Sequence, residues 1–360
     1  MDGAALAHRL WRDPSPGFRL LRALLLVPAA GYRAAVGLRN AAFDLGLLRA
    51  WRLPRPSVGV GNIAVGGVGK TPIAAFLAAE VVRRGARPGI LLRGYGGGDE
   101  AEEHRARAPQ AVVVADPDRR RGAATAIAAG AEVLVLDDCL QHRDVRPDVL
   151  LAVVAAETAG ERRWPLPAGP WREGLGALGR CDGVVVTYKT ADAAEAAALA
   201  RGLAPRTRAG VGVAAALAPS GLAPLLGGPP RPVAWLRGRE VLAVCGIGEP
   251  QPFREQLEGL GARVRLMAFG DHHAYSAHDV AAIRAATGPG GTVVTTAKDA
   301  ARLRPAWPAG APDCLIAELA VQLSYGADQL ARLLDRVGRA VPSRLTPEAA
   351  VAPPDRRNPP

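Results

Sequence analysis

The chain has 360 residues and a mass of 37.3 kDa, with 49% hydrophobic and 22% charged residues. That is enough for one large or two medium domains with real cores, and it excludes a disordered or collagen-like chain. The 45 Lys and Arg against 34 Asp and Glu give a formal charge of +11 and a pI near 10.3; this favours an anionic partner such as phosphate, nucleic acid or a membrane surface. With 4% aromatics the chain lacks the stacking platforms of single-strand binders, so no nucleic acid is expected. Cys139, Cys181, Cys245 and Cys314 form no C-x-x-C pair, which argues against a disulfide framework or structural zinc and fits a reducing compartment.

The first 55 residues carry nine Arg against Asp2, Asp13 and Asp44, with Leu20, Leu21, Leu24 and Leu25 set among Arg19, Arg22 and Arg33. The apolar runs are far shorter than the roughly 20 residues that span a bilayer, and no signal-peptide cleavage pattern follows them. Two readings stand: a basic amphipathic segment on an anionic leaflet, or a helix pair packed on its own domain. Pro28 is expected to divide it into two helices.

From Ser57 the pattern alternates short apolar runs with helical stretches. Strands are expected at Ser57–Val60, Gly89–Leu92, Ala111–Val114, Val133–Leu136, Val149–Val154 and Gly183–Thr187, and helices at Pro72–Arg84 and Ala191–Arg201. Runs apolar on both faces indicate a mainly parallel sheet covered by helices. Pro219–Pro232 is rich in Gly and Pro without period, which places a domain boundary there. A second α/β unit follows, with strands at Val241–Cys245, Val264–Ala268, Thr292–Thr295 and Leu315–Ala317 and helices at Pro252–Leu260 and Asp279–Ala286. The tail from Pro342 reads as disordered.

The segment Gly61–Pro72, GNIAVGGVGKTP, lies between a strand and a helix. In a phosphate-binding loop glycines let backbone N–H groups turn onto phosphate oxygens, Lys70 reaches the β and γ phosphates, and the Thr71 hydroxyl ligates magnesium. Ala64 stands where the strict motif has Gly. The overlapping Gly59, Gly61, Ala64 pattern of a dinucleotide fold is discounted, because no acidic residue closes a second strand at the required distance. Lys70, Lys189 and Lys298 are the chain's three lysines against 42 arginines, so an ammonium in the loop reads as required, and Lys298 is singled out by the same logic. VLVLDD at Val133–Asp138 supplies the acidic strand end that such a site needs. Asp99 and Glu100 follow a glycine run and read as carboxylates on a mobile loop. Arg172 and Glu173 sit in a Pro and Gly frame. His272 beside Asp271 is better used for proton transfer than as a metal ligand.

Taken in order, VGNIAVGGVGKTP, LLRGYGG, GDE at Gly98–Glu100, LDDCLQHRDVRPD, LPAGPWRE, CGIGEPQPF, FGDHHAYS and TTAKDAARL resemble the tetraacyldisaccharide 4′-kinases of lipid A biosynthesis. The resemblance implies ATP and Mg2+ as cofactors, an acylated disaccharide 1-phosphate as acceptor, and a monomer docked peripherally on the cytoplasmic face of the bacterial inner membrane. It implies catalytic roles for Asp99, His272 and Lys70. Gly66, Gly67, Val68, Gly69, Lys70, Thr71 and Gln141 would bind nucleotide, and Thr71, Asp137, Asp138 and Glu100 the metal. Arg93, Arg172, Glu173 and His142 would meet the acceptor. The sequence departs from the family pattern in a shortened stretch before Asp99, in Cys139 after the paired aspartates and in Ala297 before Lys298. Two rivals stay open on the residues alone: a phosphotransferase for a soluble acceptor, and a nucleotide switch.

The expected fold is therefore α/β, a P-loop NTPase-like, mainly parallel sheet flanked by helices, with a smaller C-terminal α/β domain and an N-terminal amphipathic helical segment. The expected divisions are 1–55, 56–225, 226–340 and a tail at 341–360.

Overall fold

The computed structural model describes residues 3–94, 99–160 and 162–338; the tail expectation lies outside them. The chain opens with α1 (Gly3–Arg12), α2 (Pro16–Leu24) and α3 (Leu26–Asp44). The break falls at Leu25, not at Pro28, because Pro28 occupies the first turn of α3, where its missing N–H costs no helical hydrogen bond. α2 buries no residue and α3 buries only Ala29, so these helices leave Leu20, Leu21, Leu24, Val27 and Leu38 in solvent. No single helix among the described residues is long and apolar enough to cross a membrane; α2 and α3 together, bent by 42°, pass on length and composition only.

Next come β1 (Trp51–Arg52), β2 (Ser57–Asn62), α4 (Lys70–Arg83), β3 (Pro88–Leu92), α5 (Asp99–Arg107), β4 (Val112–Ala115), α6 (Arg119–Ala128) and β5 (Val133–Leu136). They are followed by β6 (Val145–Arg146), β7 (Val149–Ala155), β8 (Gly183–Tyr188), α7 (Ala193–Leu203) and β9 (Val211–Pro224). β2, β3 and β5 are buried along their whole length, as expected for parallel strands covered on both faces. One face packs Ile73, Leu77 and Val81 of α4 on Val58, Val60, Val135 and Leu151. The other face sets Ala196, Ala200 and Leu203 of α7 on Val184, Val186 and Ala152. Asp99 and Glu100 begin α5 and are not on a mobile loop; the helix is tied down at its far end, where Arg107 donates to the Leu319 carbonyl at 3.0 Å.

The rest of the chain is β10 (Glu240–Cys245), α8 (Pro250–Gly259), β11 (Arg263–Ala268), α9 (Ala277–Thr287), β12 (Thr292–Thr296), α10 (Ala297–Leu303), β13 (Asp313–Tyr325) and α11 (Ala327–Gly338). All main strands join one 11-stranded sheet, in the order β11-β10-β12-β13-β9-β8-β7-β2-β5-β3-β4. The pairing of β13 with β9 is antiparallel and the others are parallel. The residues read as a structureless boundary, Pro219–Pro224, thus extend a strand. Pro219 faces Leu319 at a register shift, a place where proline's missing donor is tolerated.

Register decides how the halves meet. β8 pairs with Val211–Ala216 only, while the remainder of β9 to Pro224 runs on against β13, with one antiparallel bridge from Leu222 to Arg231 on its other edge. β12 pairs with Asp313–Ala317 of β13, and Leu315–Ala317 stand opposite Leu222–Pro224. The second set of parallel strands is therefore displaced beyond the C-terminal ends of the first and runs the opposite way. Both sets point their C-terminal ends into one cleft, the end at which open α/β sheets bind ligands. The division expected at 225/226 falls at the end of β9, yet the sheet is continuous there. α11 also crosses back, burying Leu330, Leu333, Leu334 and Val337 in the core around Val58 and Ile73; residues 226–340 are thus not one contiguous unit in space.

Candidate active site

The phosphate loop leaves β2 and enters α4 through Gly69, whose φ of 84° is a left-handed conformation open to glycine at little cost. Gly66 also has positive φ, 131°, and a Cβ there would meet nothing within 4 Å, so the loop presents bare backbone to the cleft. Its carbonyls are tied back to the end of β8: Thr187 Oγ1 donates to the Val68 carbonyl at 2.7 Å, and Lys189 Nζ to the Gly67 carbonyl at 3.1 Å. Because the peptide is planar and trans, holding the Val68 carbonyl toward β8 turns the Gly69 N–H the other way. Together with the α4 N-terminus this forms an anion cradle.

Lys70 Nζ lies 3.5 Å from Asp138 Oδ1, and Arg172 Nη1 lies 3.2 Å from the same carboxylate. Although burial works to raise the Asp138 pKa, these two cations hold it below the usual carboxylate range. Two cations on one carboxylate leave a net positive charge, suited to a phosphate. Asp138 has a φ of 49° and His272 of 57°, the two positive values outside glycine among the described residues. Both fall on expected site residues, where backbone strain tends to concentrate.

Asp137 takes a different part. Its Oδ2 lies 3.4 Å from Thr71 Oγ1 and 2.9 Å from His104 Nε2. Burial first, then the charge of Asp137, raises the Glu100 pKa. A hydroxyl and a carboxylate at the strand end, with a further carboxylate nearby in a repulsive field, fit a magnesium ion, which takes one or two protein carboxylates and completes its shell with phosphates and water. Asp138, expected beside the metal, is engaged by Lys70 and Arg172 in this structure.

Two other expected site residues are engaged by protein groups. Glu173 is buried, accepts two bonds from Arg180 Nη2 at 2.9 and 2.8 Å, and accepts from Asn40 of α3 at 2.8 Å. Gln141 donates to the Asn62 carbonyl at 2.9 Å and to Glu173 at 3.2 Å, while its oxygen accepts from Arg172 at 3.3 Å. Gln141 thus sits against Arg172, and Glu173 ties α3 to the site through Asn40. Arg143 adds a second clasp through the Asn40 carbonyl (2.8 Å) and Asp44 (2.5 Å).

Arg93 at the end of β3, Arg119 of α6 and His142 share the flank beside Asp137. Arg119 is buried and donates to the Asp137 carbonyl at 2.6 Å. Burial, then the charges of Arg93 and Arg119, push the His142 pKa down to about 4, so His142 is neutral near pH 7. Between its ordinary 6.5 and about 4 the unfolded chain binds the proton better. The stability from His142 is thus complete above pH 6.5 and is lost as pH falls toward 4, on the order of 1–3 kcal/mol. Thermal denaturation of His142→Asn across that window should show a flatter dependence of Tm on pH than the parent.

Across the cleft, His272 follows β11, with its backbone N–H bonded to the Gly246 carbonyl (3.2 Å) and its side chain 57% exposed. Its neighbour His273 is committed elsewhere, bonded to Asp279 at 3.1 Å and stacked on Phe269. Lys298 follows β12, its Nζ 3.9 Å from Glu103 of α5. The segment 95–98 and the Asp99 side chain lie outside the described residues. Sequence reasoning missed His104, Asn62, Arg180 and Lys189. Lys189 was within reach, since all three lysines of the chain line this one cleft.

Cys139, the departure after the paired aspartates, has a local reason. It is buried, its N–H bonds to the Val60 carbonyl at 2.9 Å, and its Sγ fills the space a side chain on Gly59 would need.

The profile of the family described as tetraacyldisaccharide-1-P 4′-kinase matches residues 21–339. The chain belongs to that family. A tetraacyldisaccharide 4′-kinase of Anaeromyxobacter dehalogenans (strain 2CP-C) is 39% identical over 350 residues, covering 89% of this chain and 92% of that one. One from Methylobacterium sp. (strain 4-46) is 39% identical over 359 residues, covering 94% and 98%. Among solved structures, LpxK from Aquifex aeolicus in complex with ATP superposes with a TM-score of 0.71 at 28% identity, covering 88% of this chain and 99% of that one. As a member of this family the protein is a kinase with a P-loop NTPase-like α/β fold.

Proposed function

We propose that the protein transfers the γ-phosphate of ATP to the 4′-hydroxyl of a tetraacylated disaccharide 1-phosphate, using magnesium, at the cytoplasmic face of the inner membrane. The observation that carries this reading is the placement of the phosphate loop, Lys70 and the Asp137–Asp138 pair at one side of a cleft whose other side presents His272. Magnesium, held by Thr71 and Asp137 with Asp138 and Glu100 nearby, would neutralise charge on the phosphates. The loop amides and Lys70 grip the triphosphate. Arg172, released from Asp138 as the nucleotide enters, is placed to meet transferring oxygens. Asp99 with His272 accepts the proton of the acceptor hydroxyl, and Arg93 and His142 meet the acceptor. The strands on the two sides of the β9–β13 pair serve as two lobes, whose closure brings His272 toward Asp99.

The exposed leucines of α1 to α3 support membrane docking. They are apolar side chains left partly in water, each giving up to roughly 1.5–3 kcal/mol if moved into an apolar phase, and Arg19 and Arg33 beside them suit anionic headgroups, while Arg22 donates to the Leu10 and Asp13 carbonyls. Glu173 and Asn40 couple this surface to the site. The protein would act as a monomer.

The decisive assay is transfer of labelled γ-phosphate to detergent-dispersed tetraacyldisaccharide 1-phosphate, with soluble glucosamine phosphates in parallel. Label is expected on the lipid alone. Label on the soluble acceptor, or ATP hydrolysis indifferent to either acceptor, overturns the reading in favour of a soluble-sugar kinase or a switch.

A further inference from the structure

At the end of the first set of strands opposite the cleft, four arginines surround a polar cavity of about 360 Å³. Arg52 belongs to β1, Arg146 to β6, Arg208 to the turn that leads into β9, and Arg336 to the last turn of α11. The cavity lies at the N-terminal ends of β7, β8 and β9, so the length of β7 separates it from the cleft by roughly 20 Å. Two of the guanidiniums are held side by side. Arg52 and Arg146 are register partners in the parallel β1–β6 ribbon, so they leave the face opposite to the one on which Trp51 and Val145 pack into the core. Both are exposed, and like charges facing each other across a ribbon oppose its pairing. Among the described residues, Arg336 alone of the four has a carboxylate within ion-pair distance, Asp182 at 3.9 Å.

The two acids on the cavity wall are turned toward the backbone. Asp148 Oδ2 accepts from the Ser57 N–H and from its hydroxyl, both at 2.9 Å, and Asp182 Oδ2 accepts from the Leu150 N–H at 2.9 Å. Those bonds fix the starts of β2 and β7. Even with both carboxylates ionised, the four guanidiniums leave two positive charges uncompensated. A phosphate or phosphomonoester carries close to two negative charges near pH 7, and its oxygens match the forked N–H donors of arginine. No aromatic side chain lines the cavity, so it offers nothing on which a nucleotide base would stack.

We propose that this cavity is a second anion site, remote from the catalytic cleft, which binds a phosphate dianion, either free or as the headgroup of a phosphomonoester. The proposal holds whatever the donor and acceptor of the kinase are. A bound dianion relieves the repulsion between Arg52 and Arg146 and joins the β1–β6 ribbon and the approach to β9 to α11. Because α11 returns from the end of the chain to pack Leu330, Leu333, Leu334 and Val337 on the core of the first lobe, an anion shared by Arg336 and the three other arginines also strengthens that docking.

Isothermal titration calorimetry with inorganic phosphate tests the site, on protein whose phosphate loop is filled by a non-hydrolysable magnesium ATP analogue and with chloride at equal ionic strength as the reference. Arg146→Ala and Arg208→Ala should each raise the phosphate Kd about 10-fold, the loss of one charge-assisted hydrogen bond. Arg52→Ala and Arg146→Ala combined should raise it about 100-fold, while Arg263→Ala on β11, far from the cavity, leaves it within about twofold. Thermal melts separate ligand binding from packing. Phosphate should raise the parent Tm above its value in chloride, and in chloride Arg146→Ala should melt no lower than the parent, since it removes one of two like charges. No heat beyond the chloride reference, or parent affinity in the double variant, overturns the site. A lower melt of Arg146→Ala in chloride with phosphate affinity unchanged assigns the arginine to packing and overturns it as well. Vesicles of phosphatidylcholine with phosphatidic acid identify the source of the anion: vesicle binding that weakens in the double variant and is competed by phosphate assigns a lipid headgroup, and vesicle binding equal in both proteins assigns a free phosphate.

Discussion

Lys70→Ala abolishes phosphoryl transfer and leaves the sheet folded. The lysine begins α4 with 17% of its side chain exposed, and it is paired with Asp138 at 3.5 Å, a carboxylate that Arg172 also neutralises. Removing it leaves Asp138 compensated, so folding suffers little. It does take away the cation that meets charge on the transferring phosphoryl group, the largest kind of contribution in this chemistry. A fall in kcat/KM of about 10³-fold or more is expected, with Tm within about 2–4 °C of the parent. Steady-state kinetics beside a thermal melt check it. Normal turnover in the folded variant would remove the phosphate-loop assignment.

Asp99→Ala lowers kcat by about 10²- to 10⁴-fold, the range of a lost general base, while the KM for ATP moves by no more than about threefold. The residue starts α5, whose later turns are fastened independently. His104 is bonded to Asp137, Arg107 to the Leu319 carbonyl, and Lys298 lies beside Glu103. Truncating the first residue therefore leaves the metal-side carboxylate and the nucleotide cradle in place. The split between kcat and KM is the readout, because a metal-holding or structural role would lose both together.

The first half of the chain was legible because its signals are local. A strand apolar on both faces, a glycine-rich turn and a helix start fall within Ser57–Arg83, and Lys70, Thr71 and Asp137 converge as that pattern requires. The protein partners of Glu173 and Gln141 were not legible in the sequence, for a physical reason. Their partners, Asn40, Asn62, Arg172 and Arg180, come from distant segments, and nothing local announces such contacts. β9 is illegible in the sequence because VGVAAALAPSGLAP is poor in the branched and aromatic residues that mark strands. It is a strand because β13 and β8 pair with it, not because of its own preference.

By itself the sequence determined the chemistry of the nucleotide end: a loop able to accept phosphate, an ammonium where 42 other basic positions are arginine, and acids at a strand end. It left open whether the apolar and basic first helices pack on the domain or face outward, and the structure leaves their leucines exposed. Only the tertiary structure decided where that chemistry points. The antiparallel pairing of β9 with β13, offset so that β12 stands beyond the end of β8, reverses the second set of strands. It turns two C-terminal edges toward each other across one cleft. That reversal depends on long-range hydrogen bonding between segments about 100 residues apart, which no local pattern encodes, and it is what brings His272 and Lys298 to the same cleft as Lys70.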